Sequence, residues 1–170
     1  MVQQTFVHLV TVALCAVIPF VESQANLRGA IPPVPSTFAA DLLKLVNVER
    51  KKVGAPPLCR NAKLEKAAQL HSDDMAKFDF LKHDGSNGTT FDARIRAQGY
   101  SGKTLAESIA IEMASTTAVM NAWMGSQAQS ANILSTKYSH FGAGYARNPA
   151  LSYGHYWTQD FGAAAKESCS

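Results

Sequence analysis

Ser139-His140-Phe141-Gly142-Ala143-Gly144-Tyr145-Ala146 and Ser152-Tyr153-Gly154-His155-Tyr156-Trp157-Thr158-Gln159-Asp160-Phe161 alternate with the period of a strand. In the first run Phe141, Ala143 and Tyr145 share a face. In the second, Tyr153, His155, Trp157, Gln159 and Phe161 oppose Tyr156, Thr158 and Asp160. The Asn148-Pro149 turn lies between them, so the two runs read as a hairpin.

Upstream the period changes to that of a helix. The first helix begins after Ser36 or Thr37 and runs to about Val53, with Phe38, Leu42, Leu45, Val46 and Val53 at helical spacing. Gly54 stops it, and Pro56-Pro57 prevent its resumption. Asn61 caps a second helix to about Phe78, with Leu64, Ala67, Ala68, His71, Met75 and Phe78 on its apolar face. His71 is therefore expected on the buried side. A third helix spans about Phe91 to Gln98, with Phe91 and Ile95 inward and Gly99 ending it. Thr116 or Thr117 opens a fourth through Trp123 and Met124, with Gly125 as its stop, and a helical turn follows near Ser130 to Leu134. Leu105 to Ile111 fits a helical turn and a strand equally. Helices followed by a hairpin predict an α+β domain with helices packed on a sheet.

At 170 residues, 46% hydrophobic and 17% charged, the chain is neither disordered nor collagenous and has room for one domain. The net charge of +3 comes from scattered basic residues, which gives no nucleic-acid footprint. The one basic run, Arg50-Lys51-Lys52, reads as a solvated helix end. Phe6 to Val21 is apolar but short for a bilayer span of about 20 residues. It fits the apolar region of a secretory signal peptide, with cleavage after Ser23; an uncleaved anchor is the alternative. The expected organisation is a signal peptide over 1–23, a Pro-rich linker over 24–36 and a folded domain over 37–170, extracellular and without a membrane span after signal cleavage.

Cleavage removes Cys15 and leaves Cys59 and Cys169, an even pair in an oxidising compartment. A disulfide between them would close a loop of about 110 residues; two free buried thiols are the alternative. Asn87-Gly88-Thr89 is a glycosylation sequon in a secreted eukaryotic protein, with Asn87 the acceptor.

No GxSxG, HExxH, GxGxxG or GxxxxGK[ST] motif occurs. Two titratable residues stand out. Glu107 interrupts the apolar run Leu105-Ala106-Glu107-Ser108-Ile109-Ala110-Ile111, where a carboxylate must be paired, hydrogen-bonded or open to a cleft. His83 stands at the mouth of the Gly-rich loop Asp84 to Thr90 and is free to point at that cleft. His71, His140 and His155 read as structural.

Five segments in order carry a resemblance: Leu42-Leu43-Lys44-Leu45-Val46-Asn47-Val48-Glu49-Arg50; Ala67-Ala68-Gln69-Leu70-His71-Ser72-Asp73-Asp74-Met75; Ala106-Glu107-Ser108-Ile109-Ala110; Asn121-Ala122-Trp123-Met124 with Ala131-Asn132-Ile133-Leu134; and Tyr156-Trp157-Thr158-Gln159-Asp160-Phe161-Gly162. Together they resemble the CAP superfamily of cysteine-rich secretory, antigen-five and class-one pathogenesis-related proteins, closest to its compact bacterial-type and oomycete or fungal members. The resemblance implies an SCP domain: a three-layer α-β-α sandwich, with helices flanking a small antiparallel sheet and a central cleft. The family cleft carries two His and two Glu. Carried over, His83 takes the first His position and Glu107 the first Glu; Gln129 stands at the second His position and Ser126 at the second Glu. Gly154-His155-Tyr156-Trp157-Thr158-Gln159 is similar to a family His signature, but its extra Trp and its place after the Gly142-Ala143-Gly144 strand make it the last strand instead.

With half the tetrad replaced, only His83 and Glu107 remain as metal ligands, joined by His71 if the second helix faces the cleft. No metal site and no cofactor are expected. The expected function is that of a secreted, non-catalytic protein binding a sterol, fatty acid or other small apolar ligand. The alternatives are an extracellular effector or interaction protein acting on another organism's surface, and a weak hydrolase dependent on the His/Glu pair. The expected partners are a small apolar ligand or an extracellular protein, and not nucleic acid; the chain is expected to be a monomer.

Overall fold

The two alternating runs form β3 (His140–Arg147) and β4 (His155–Ala163), antiparallel with Phe141 opposite Phe161. The computed structural model describes residues 34–151 and 153–170. The signal-peptide reading of residues 1–23, and the linker up to residue 33, lie outside them, as does Ser152, the expected start of the second run.

Leu105 to Ile111, ambiguous in sequence, belongs to strand β2 (Thr104–Ile111), antiparallel to β4 with Glu107 opposite Asp160. A two-residue strand β1 (Cys59–Arg60) adds to the far edge, parallel to β3, so the order is β1-β3-β4-β2. The sheet is thus antiparallel except for β1, which is too short to show any period. The helices are α1 (Phe38–Lys52), α2 (Ala62–Phe78), α3 (Phe91–Ala97), α4 (Thr116–Gly125) and α5 (Gln127–Leu134).

Alternation along the strands separates two cores. Phe141, Ala143, Trp157 and Phe161 pack with Leu42 and Val46 of α1, Trp123 of α4 and Ile133 of α5. On the other face Tyr156 and Ile109 meet Met75 of α2, while Leu64 and Ala67 of α2 meet Ile95 of α3. Helices on both faces make the three-layer α-β-α sandwich. Gly142 and Gly144 set the depth of the α2 layer: a Cβ on Gly142 would lie 2.3 Å from the Glu65 nitrogen, and one on Gly144 would lie 2.3 Å from the Ala68 oxygen. The α2 backbone therefore rests on bare strand.

Asn61 caps α2, its side-chain oxygen accepting from the Lys63 and Leu64 amides at 3.1 and 3.2 Å. Cys59 and Cys169 are joined in a disulfide, which ties the C-terminal tail to β1 across 110 residues of sequence. The chain-entropy model assigns about 4–5 kcal/mol to such a closure.

Two expectations are corrected. Arg50 is not part of a solvated end. It is fully buried, and its guanidinium donates to the carbonyls of Pro56, Ile133 and Ser135 at 2.7–2.8 Å. Phe78 closes α2 but is 54% exposed, because Asp79 in left-handed backbone (φ 56°) turns the chain there.

Gly144→Val is expected to destabilise the fold by roughly 3 kcal/mol, the upper end of ordinary overpacking. The checking measurement is the urea midpoint. Gly125→Ala, whose Cβ enters open space, should stay within about 1 kcal/mol of the parent.

Candidate functional site

Strand β2 is an edge strand, and its side chains alternate between the two helical layers. Ala106 and Ala110 enter the core built by α1, α4 and α5, whereas Ile109 enters the one built by α2. Glu107 shares the Ile109 side, and its side chain is only 1% exposed. A carboxylate so placed costs several kcal/mol unless partnered.

Both of its oxygens are partnered. His83 Nδ1 donates to Oε1 at 2.8 Å, and Arg94 Nη2 donates to Oε2 at 2.7 Å. Arg94 also donates to the His83 carbonyl at 2.8 Å and the Thr89 carbonyl at 2.7 Å, so one guanidinium closes the loop onto the carboxylate. From α2, Asp74 grips the same loop by accepting from the Ser86 amide at 2.7 Å and hydroxyl at 2.6 Å. An open cavity of about 270 Å³ lies beside this loop, lined by Leu70, Asp74, Asn87, Thr89, Arg94 and Gln98 among others. Asn87 itself is exposed, and its side-chain oxygen accepts from the Thr89 amide and hydroxyl.

Directly across the β2–β4 ladder stands Asp160, 1% exposed, with Oδ1 lacking any hydrogen-bond partner in the protein. Burial, and then the neighbouring Glu107 charge, push its carboxyl well above the usual range. Burial beside Glu107 thus favours the protonated form of Asp160. The hydrogen bond to Glu107 moves His83 the opposite way from burial and holds its imidazole above the ordinary value. His71 Nε2 lies 3.9 Å from Glu107 Oε1 but donates instead to the Lys82 carbonyl at 2.9 Å. Burial lowers its pKa, so the ring is neutral and the 3.9 Å approach is not an ion pair. Its Nδ1 is buried without a partner.

The structure thus brings together His83, Glu107 and the neighbouring His71. Ser126 joins α4 to α5 and Gln129 lies on α5, in the opposite helical layer; neither is hydrogen-bonded to His83 or Glu107. What α5 does supply is Asn132, whose amide reaches the Glu107 carbonyl at 3.3 Å and the Ser108 hydroxyl at 3.2 Å. The Gln129 side-chain oxygen is buried without a partner. His140 and His155 are held by the hydroxyls of Tyr100 and Tyr145 at 2.8 and 2.9 Å. Among the described residues, the one group of three potential metal ligands is Cys59, His140 and Cys169, and its two sulfurs are bonded to each other.

Sequence reasoning missed Arg94 and Asp160. Asp160 carried a signal: it shares the strand face of Tyr156 and Thr158, where a charge is out of place. Arg94 carried none, because its partners lie on a loop and a strand outside its own helix.

Residues 43–161 match the cysteine-rich secretory protein family, CAP. The uncharacterized protein YkwD of Bacillus subtilis is 32% identical over 144 residues, which are 84% of this chain and 54% of YkwD. Among solved structures, an extracellular protein containing a SCP domain from Bacillus anthracis superposes with a TM-score of 0.67 at 21% identity, over 75% of this chain and 40% of that one. An outer surface protein from Borrelia burgdorferi gives 0.66 at 22% identity, over 72% of this chain and 90% of that one. The chain therefore spans about half the length of YkwD. At these identities the solved structures speak to the fold.

The titrations set a direction for stability. Asp160 and His83 have raised folded values, so what each contributes is complete below its unfolded value and lost as pH rises through its folded one. His71 is depressed, so its contribution is present above the ordinary imidazole value and lost as pH falls. Asp160→Asn keeps a donor toward Glu107 and removes the acid. It is expected to gain stability relative to the parent as pH rises from about 3 to about 7, read from urea midpoints across that range. Parallel pH profiles for the two proteins would contradict the raised Asp160 carboxyl.

Proposed function

The chain belongs to the cysteine-rich secretory protein (CAP) family, and from that premise we propose that it is an exported, non-catalytic module that binds a small apolar ligand of the sterol or fatty-acid class. The observation that carries this reading is an open groove of about 370 Å³ at the C-terminal end of α1, lined by Asn47, Lys51, Gly54, Ala55 and Pro57. Its volume lies in the range of small-molecule sites. Val48 and Val53 stand on the same helix end, 53% and 58% exposed, and Lys51 offers a cation to a fatty-acid carboxylate. The Glu107 centre supports the non-catalytic half of the reading. Its carboxylate is enclosed and accepts from His83 and Arg94, so it serves to hold the loop rather than facing a substrate.

Export is supported by the apolar run Phe6–Val21 and by a disulfide suited to an oxidising compartment. The extracellular and outer-surface descriptions of two structural neighbours agree with it. Asn87, exposed within its sequon, is the glycan acceptor under this reading in a eukaryotic secretory pathway.

One observation favours a second reading. The His83 side chain is 54% exposed while its Nδ1 is held by a buried carboxylate, the arrangement that presents the other ring nitrogen as a base. A hydrolase of this kind should lose at least about a hundredfold of its activity on peptide or ester substrates in Glu107→Gln. Activity unchanged by that substitution belongs elsewhere.

For the ligand, lipid extracted from the exported, purified protein and analysed by mass spectrometry should contain a sterol or acyl species. Labelled fatty acid should bind, and should bind about tenfold more weakly to Lys51→Glu, which reverses the charge that the groove lining offers to the carboxylate. A protein that purifies free of lipid and takes up neither ligand would remove the reading.

A further inference from the structure

The loop between α2 and α3 holds Asn87 in a tight turn. The Gly85 amide donates to the Thr89 carbonyl at 2.9 Å, and the Gly88 amide to the Gly85 carbonyl at 2.8 Å. Within that turn the Asn87 side-chain oxygen accepts from the Thr89 amide at 2.9 Å and from the Thr89 hydroxyl. The side chain leans toward α2: a Cβ added to Gly85 would lie 3.2 Å from Asn87 Oδ1 and 3.2 Å from Asp74 Oδ2. Asn87 thereby stands in the wall of the open cavity of about 270 Å³. Leu70 and Asp74 line that cavity from α2, and Arg94 and Gln98 from α3 and its end.

An acceptor and a seat are therefore side by side. Asn87 opens the sequon Asn87-Gly88-Thr89 and is exposed. Glycosylation attaches the sugar to Nδ2, so Oδ1 keeps its bonds to Thr89 and goes on aiming the side chain. The cavity lies just below the range of about 300–1,000 Å³ for drug-sized ligands, which suits one pyranose ring. Its lining suits one as well. Each Asp74 oxygen accepts one bond from Ser86 and keeps a lone pair for a sugar hydroxyl or amide. Leu70 is 41% exposed and offers its methyl groups to the C–H face of a ring. A tethered ring needs little affinity of its own, because attachment at the cavity wall holds it at an effective concentration on the order of mM.

We propose that Asn87 bears an N-linked glycan whose first N-acetylhexosamine ring seats in this cavity, against Leu70 and Asp74 of α2. Transfer from a lipid-linked oligosaccharide donor forms the bond between Asn87 Nδ2 and the sugar C1. It breaks the bond from C1 to the donor's diphosphate oxygen and releases one of the two Nδ2 protons. The seated ring bridges α2 and the 83–90 loop, so the modification braces the wall that carries His83, and the later sugars leave through the open side. The proposal rests on the export reading, through a eukaryotic secretory pathway, and does not depend on the groove at α1.

The test compares the chain secreted by a eukaryotic host, disulfide intact and glycan trimmed enzymatically to its first sugar, with the same chain exported unglycosylated to a bacterial periplasm. Both forms keep Asn87 and its bonds to Thr89, so the difference reports the sugar. Mass spectrometry is expected to place one sugar on Asn87. Urea unfolding should give the modified form a folded-to-unfolded ratio about tenfold higher, the size of one or two net hydrogen bonds. Nuclear Overhauser contacts should join the sugar protons to the Leu70 methyl protons. Leu70→Ser changes an exposed position, and circular dichroism verifies that it is folded; in that background the sugar should give no gain. An unmodified Asn87 in the eukaryotic host would sink the acceptor reading and the proposal together. A modified Asn87 without contact to Leu70, without a gain, or with a gain that survives Leu70→Ser would overturn the seat alone.

Discussion

A carboxylate sits on the protein-facing side of an edge strand, and the arrangement of the α2–α3 face follows from making that tolerable. Glu107 is almost wholly enclosed. Arg94 reaches it from α3, His83 from the loop after α2, and Asp160 lies across the ladder. Removing one partner from such a buried group typically costs about 3–5 kcal/mol, because the charge is left uncompensated. The same guanidinium holds two loop carbonyls, so the charge on β2 and the shape of the 83–90 loop are one structural fact. Gly142 and Gly144 make the geometry available by letting α2 lie on the sheet, which brings His71 to within 3.9 Å of the carboxylate.

Much of this is legible in the sequence where a single period or a single misplaced charge carries the information. The hairpin follows from alternation, the start of α2 from Asn61, and the importance of Glu107 from its isolation in an apolar run. Leu105–Ile111 is ambiguous because residues Ala106 to Ala110 are buried on both strand faces, and such a run has no period to read. β1 is invisible because two residues carry none. Arg50 misleads because its basic neighbours suggest a solvated end. Its real partners include the Ile133 and Ser135 carbonyls, 83 and 85 residues away. Arg94 is the same kind of case at shorter range. The layer arrangement comes from family resemblance rather than from any residue pattern, and the resemblance also groups Ser126 and Gln129 with a pair to which neither is hydrogen-bonded.

The distribution of polar saturation shapes the functional reading. The Glu107 carboxylate is enclosed, with engaged oxygens and a neutral imidazole behind it, whereas open cavities lie beside its loop and at the end of α1. On the proposed binding reading, the chemistry lies in such surfaces and the buried charges hold the scaffold in place. His83 belongs to both descriptions, since it is tied to the closed centre by one nitrogen and half-exposed by the rest of its ring.

The central claim is that burial beside Glu107 holds the Asp160 carboxyl above the ordinary aspartate range. Carbon-detected NMR of the side-chain carboxyl groups, followed across pH and assigned through Asp160→Asn, measures it most directly. The Asp160 carboxyl carbon should keep its protonated shift well beyond the ordinary aspartate midpoint of about 4. An Asp160 resonance that titrates at that ordinary midpoint would contradict the account.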